Sequence, residues 1–147
     1  MIAATDCGNM TEIIKPLIVG VVGAYTLRMF RSPRPKPDLP WHSVDDLQAC
    51  LDLPRQVRRQ LQRSMMDKWQ ADIMTITTDD GITIIGPHLM AQGIIRAAVK
   101  MGCSTPKFED EYVKLGIVAM RTLTGVLSSE MQYRFLLAAY EGQGDRS

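Results

Sequence analysis

The side chains best suited to metal binding, acid–base work or nucleophilic attack are His42, His88, Cys7, Cys50, Cys103 and the adjacent pair Asp79-Asp80. The two histidines lie 46 positions apart, so a site built on both depends entirely on the fold. No HExxH, GxSxG, phosphate-loop or GxGxxG pattern occurs. His88 and Cys103 flank one expected helix of about 20 Å and would sit at its opposite ends. A capped helix separates His42 from Cys50. Asp79 and Asp80 read as turn residues, because neighbours on a tight turn point apart and no third ligand stands near. These patterns nominate no catalytic residue, no metal ligand and no cofactor, and no small-molecule substrate is evident.

The cysteines are three and widely spaced, which excludes a disulfide framework or a CxxC site and fits a reducing compartment. Cys50 and Cys103 read as small buried hydrophobes.

Arg55, Arg59 and Arg63 carry a different kind of chemistry. They recur every fourth residue beside an apolar stripe of Val57, Leu61, Met65 and Trp69, which predicts an amphipathic helix with a basic face. Such a face is a solvated helix surface, a contact for anionic headgroups, or a contact for nucleic-acid phosphates.

The elements that must position these residues begin with residues 13 to 30, IIKPLIVGVVGAYTLRMF. The run reads as a membrane-associated helix in which Ile13, Ile14, Leu17, Ile18, Val19, Val21, Val22, Tyr25, Leu27 and Phe30 face lipid. Its uninterrupted apolar part, Pro16 to Leu27, covers only about 18 Å of a bilayer core about 30 Å thick, so spanning requires Lys15 and Arg28 to snorkel. An ordinary core helix is the competing reading. Arg28, Arg31, Arg34 and Lys36 follow without an intervening acid, and the positive-inside rule places the rest of the chain on the cytoplasmic or equivalent reducing side.

Residues 31–42 carry four prolines and read as a stiff, extended basic stalk. Residues 43–142 then form the compact part. Ser43 with Asp46 resembles a capping box for a short helix, and Pro54 opens the arginine helix. Ile73 to Gly86 reads as a β-hairpin turning at Asp79-Asp80-Gly81 within residues 72–86. Further helices follow: one from Gly86-Pro87 to Gly102 with Met90, Ile94, Ala97 and Met101 inward; one after Pro106 with Phe108, Tyr112, Leu115 and Ala119 inward; and one capped by Ser129 and Gln132 through Tyr133, Leu136, Leu137 and Tyr140. Residues 143–147 read as a frayed tail, and residues 1–12 as a polar tail with Asn9 or Thr11 as helix cap.

Composition bounds the function. The net charge of +1 conceals −1 over residues 1–27, +4 over 28–63 and −2 over 64–147, so only the middle third suits a polyanion. Aromatics at 6% against ten methionines favour adaptable packing over a base-stacking surface.

The expected fold is therefore mostly α with one β-hairpin, an α+β chain with an N-terminal apolar helix, a proline-rich stalk and a helical domain. The expected function is that of a non-catalytic, membrane-tethered structural or assembly protein. It would be an accessory subunit of a membrane complex or a membrane-lining, viral matrix-type protein, in contact with the membrane and with other subunits or itself. A soluble nucleic-acid-binding module using Arg55, Arg59 and Arg63 is the alternative, and a small enzyme with an unrecognised site is the third reading.

Overall fold

The computed structural model describes residues 12–143. Strands β1 (Ile18–Val22), β2 (Tyr25–Phe30) and β3 (Trp41–Ser43) precede helices α1 (Val44–Leu51) and α2 (Arg55–Trp69). A short 3₁₀ turn at Gln70–Asp72 leads into β4 (Met74–Thr78) and β5 (Gly81–Gly86), and α3 (His88–Lys100), α4 (Pro106–Thr124) and α5 (Ser129–Gln143) complete the chain. The strands form one five-stranded sheet in the order β1-β2-β3-β5-β4, antiparallel throughout.

This corrects the expected fold class at its N-terminus. Residues 18–30 form a β-hairpin, with Ile18 opposite Met29 and Val22 opposite Tyr25. Among the described residues, no helix is long and apolar enough to cross a membrane. The physical reason lies in the residues themselves. Ile18, Val19, Val21 and Val22 are β-branched and favour the pleated strand, while glycines cost helix stability. Gly23 takes φ +67° as the first residue of the two-residue turn between Val22 and Tyr25, a conformation glycine adopts without penalty. Gly20 has a different role. Leu115 of α4 occupies the space that a Cβ there would need, so the missing side chain lets α4 close on β1.

The expected extended stalk is also corrected. Residues 31–40 are a folded loop joining the adjacent strands β2 and β3, whose register sets Phe30 opposite Trp41. The buried Asp38 carboxylate organises it. Oδ1 accepts from the Leu39 amide at 2.9 Å, and Oδ2 accepts from Ser32 Oγ at 2.7 Å and Trp41 Nε1 at 3.0 Å. Four prolines limit the loop's unfolded freedom, and one buried anion satisfies its donors.

The chain ahead of β1 reaches the opposite edge of the sheet. Ile13 bridges Thr77 of β4 in parallel, the Ile14 amide donates to Thr77 O at 2.8 Å, and the Leu17 amide donates to Met29 O at 2.7 Å. In a flat five-stranded sheet the two edges would lie roughly 19 Å apart, with Ile13 a further strand spacing out. The five residues from Ile13 to Ile18 reach at most about 17 Å, so the sheet must curl until its edges are bridged. The edge of β4, which would otherwise offer unpaired amides to another chain, is thereby partly covered.

The main core lies between the sheet and the helices and includes Leu27, Met29, Leu47, Met90, Ile94, Ile95, Tyr112 and Ala119. A smaller cluster of Phe30, Trp41, Ile76 and Ile85 is completed by Ile14. Local signals explain the helix ends. Ser43 Oγ caps α1 by accepting from the Asp46 amide at 3.1 Å, and Asp52 ends that helix in the left-handed region at φ 49°. Pro54 is the N-cap of α2, one position before the site expected for it. Ser128, rather than Ser129, caps α5, its Oγ accepting from the Met131 amide at 3.2 Å. On α3 the inward stripe is Met90, Ala91, Ile94, Ile95 and Ala98, while Met101 is exposed. Cys7, the Asn9 or Thr11 cap and the tail beyond Gln143 lie outside the described residues.

Candidate functional site

Two surfaces stand out: the arginine face of α2 and an open apolar groove between α4 and α5. Helix α2 forms because its apolar residues share one side. Leu61 and Trp69 are buried, and Val57, Met65 and Met66 pack against the main core. That packing turns Arg55, Arg58, Arg59 and Arg63 outward, all exposed. No acid occurs between Asp52 and Asp67. None of the four arginines makes an ion pair or side-chain hydrogen bond with another described residue. Arg55, Arg59 and Arg63 rise along the helix at about 6 Å intervals. Arg58 escaped the four-residue count, yet it lies three positions beyond Arg55 and so beside it on the same face.

The basic residues ahead of α2 have other tasks. Arg28 grips Asp46 with Nε to Oδ2 at 2.7 Å and Nη2 to Oδ1 at 3.1 Å, while its Nη1 donates to Thr78 Oγ1 at 3.1 Å. The hydrogen bond to Asp46 raises the Arg28 pKa further above its usual value, against the opposing effect of burial. The guanidinium also lies 5.9 Å from the Phe30 ring centre. Arg34 stacks on Trp41 at 5.3 Å and pairs with Asp38 at 3.6 Å and Asp72 at 3.7 Å. Both cations therefore help close the smaller core. Arg31 is exposed, and Lys36 lies on the proline loop.

Of the apolar residues first assigned to lipid, Val22, Leu27 and Phe30 are buried in the fold, and Ile14, Leu17 and Ile18 are partly buried. Ile13, Val19, Val21 and Tyr25 are exposed. They are strand and bridge residues, not one face of a helix.

The groove is about 580 Å³ and open to solvent. Its walls are the α4 stripe of Val113, Ile117 and Met120 and the α5 stripe of Tyr133, Leu136 and Tyr140, and Met29, Leu39, His88 and Tyr112 lie at its base. His88 Nδ1 is 3.3 Å from Tyr112 Oη, with the rings stacked at 5.9 Å. Burial lowers the His88 pKa and raises that of Tyr112, so both groups stay neutral near pH 7.

The remaining chemistry-bearing residues are held in the interior or on a turn. His42 is completely buried, neither ring nitrogen has a hydrogen-bond partner among the described residues, and burial pushes its pKa down to about 3. Its strand partner is Gly86, two residues ahead of His88, so β3 and β5 bring the two histidines into one neighbourhood. Cys50 donates to Thr26 O at 3.6 Å, and burial pushes its thiol pKa up to about 11, which keeps it unreactive. Cys103 is partly buried. Asp79 and Asp80 occupy the β4–β5 turn, where Asp80 lies 3.8 Å from Arg28. Among the described residues, no group of three or more His, Cys, Asp or Glu is placed to hold a metal.

Compared with known proteins, the chain matches no family model, no curated relative and no solved structure.

Proposed function

We propose that the protein is a non-catalytic binding module that engages the phosphate backbone of a nucleic acid through α2. One observation carries this reading: four exposed arginines on a single packed helix, without acids among them or ion pairs to another described residue. Guanidinium forks match phosphate oxygens in two-pronged geometry, and an α-helix fits the roughly 12 Å wide major groove of a duplex. A lipid surface is the weaker partner for the same helix. Interfacial helices insert an apolar face, whereas the apolar side of α2 is committed to the core.

The test is binding of the full chain to duplex DNA, single-stranded nucleic acid and anionic phospholipid vesicles across a range of salt. Phosphate contacts by four arginines predict a slope of log affinity against log salt of up to about −3.6 on duplex DNA. Each Arg→Gln change should then reduce the slope by about one unit across sequences. Absence of salt-dependent nucleic-acid binding sinks the proposal. Vesicle retention that depends on the same arginines, without nucleic-acid binding, would redirect the reading to a peripheral, matrix-like layer.

A further inference from the structure

Helix α5 is out of balance with its surroundings. Of its fifteen residues only Ala139 is buried, while Tyr133, Leu136, Leu137 and Tyr140 are 66%, 38%, 48% and 62% exposed. These four lie on one stripe of the helix, and Glu130, Arg134 and Glu141 flank it along the Leu137 side. Across the groove, α4 presents Val113 at 42% and Ile117 at 47% exposure. Gly116, also lining the groove, has nothing within contact range of the Cβ it lacks. Two apolar helix stripes thus flank an open slot with neither covered by another described element.

We infer that this surface joins two copies of the chain, the α5 stripe of each copy seated in the α4–α5 groove of the other, so that four helices close around a shared core. The area argues for a second copy. Val113, Ile117, Tyr133, Leu136, Leu137 and Tyr140 together expose roughly 700 Å², close to the ~800 Å² that each partner loses in a standard interface. The arrangement is also self-sufficient. One chain supplies both the ridge and the slot, as a two-fold interface requires, and the apolar residues of two α4–α5 pairs then face inward as in a helical bundle. The two tyrosines suit such a seam, since each brings a large apolar body and a polar tip that stays wet at the rim.

Sedimentation equilibrium of the full chain without nucleic acid tests this independently of the α2 reading. The expected mass is twice 16.4 kDa. Leu137→Glu with Tyr140→Glu should give monomers with unchanged far-ultraviolet circular dichroism, because both side chains are exposed within one copy. Tyr133→Lys alone should weaken association at least tenfold and serves as the second variant. Tyr140→Phe should remain dimeric. A wild-type chain that is monomeric up to roughly 100 μM, weaker than such an interface allows, overturns the proposal. So does a dimer whose affinity none of the charged variants changes, or a monomer that fills the groove with an apolar small molecule.

Discussion

Arg28 and Asp46 meet in a two-pronged ion pair that ties β2 to the first turn of α1, and Asp46 Oδ2 also accepts the Arg28 backbone amide at 3.0 Å. The pair is 16% and 18% exposed, so water screens it only in part. Asp46→Ala would leave a largely buried guanidinium with only the exposed Asp80, 3.8 Å away, as counter-charge. The expected cost is about 3 kcal/mol. Urea unfolding should show a lower midpoint with an unchanged slope. Arg28→Met combined with Asp46→Ala should cost less than the sum of the single changes, since the double variant strands no charge.

His42 makes stability depend on pH. Its folded pKa of about 3 lies below the ordinary value of 6.5, so the unfolded chain binds the proton first as pH falls. The stabilisation from keeping this ring neutral is fully present above pH 6.5 and is lost progressively down to about pH 3. The rate of loss approaches 1.4 kcal/mol per pH unit, or about 2 kcal/mol between pH 7 and 5. His88, shifted in the same direction by burial, adds to the trend. Unfolding free energies from pH 7 to 5 should therefore fall steeply, and His42→Leu should flatten the profile. An unaltered slope in that variant would assign the acid sensitivity elsewhere.

Val21 separates a hairpin from a lipid-facing helix. It is 68% exposed on β1, so Val21→Glu should change stability by no more than about 1 kcal/mol. In an apolar helix the same substitution would place a carboxylate in lipid. Denaturation and circular dichroism of the variant make the comparison. A variant that no longer folds would contradict the strand assignment.

Gln143 Nε2 donates to Asp38 Oδ1 at 2.7 Å and to Ala139 O at 3.0 Å, fastening the end of α5 to the proline loop. Gln143→Ala should leave global stability within about 1 kcal/mol while raising amide exchange in the last turns of α5. Asp38→Ala should do more, about 3 kcal/mol, because the buried Leu39 and Trp41 donors and the partly buried Ser32 hydroxyl lose their acceptor as well.

What was legible in the residues follows from how local each signal is. The β4–β5 hairpin announced itself through β-branched arms around Asp79-Asp80, and the Ser43 cap and the apolar stripe of α2 through short-range spacing. Residues 13 to 30 misled because apolar side chains occur on both faces of the hairpin. Val19 and Val21 point outward while Leu27 and Met29 point inward, which hides the alternation of a strand and mimics a continuous apolar helix. The candidate site divides in the same way. The arginines were visible from their period, except Arg58. The α4–α5 groove was not, because Tyr133, Leu136, Leu137 and Tyr140 look like core residues in the sequence, and spacing alone does not say whether a face is covered within its own chain.

The bridge from Ile13 and Ile14 to Thr77 gives the protein an order-of-assembly problem during translation. The β1–β2 hairpin leaves the ribosome before β4 and β5 exist, and at roughly 5–20 residues per second it waits several seconds for them. During that interval β3 and α1 can already pack on β2, but Phe30 and Trp41 lack Ile76 and Ile85, which complete their cluster. Pairing across more than sixty residues is also intrinsically slow. A chain truncated before β4 lacks Ile76 and Ile85 and should aggregate rather than fold.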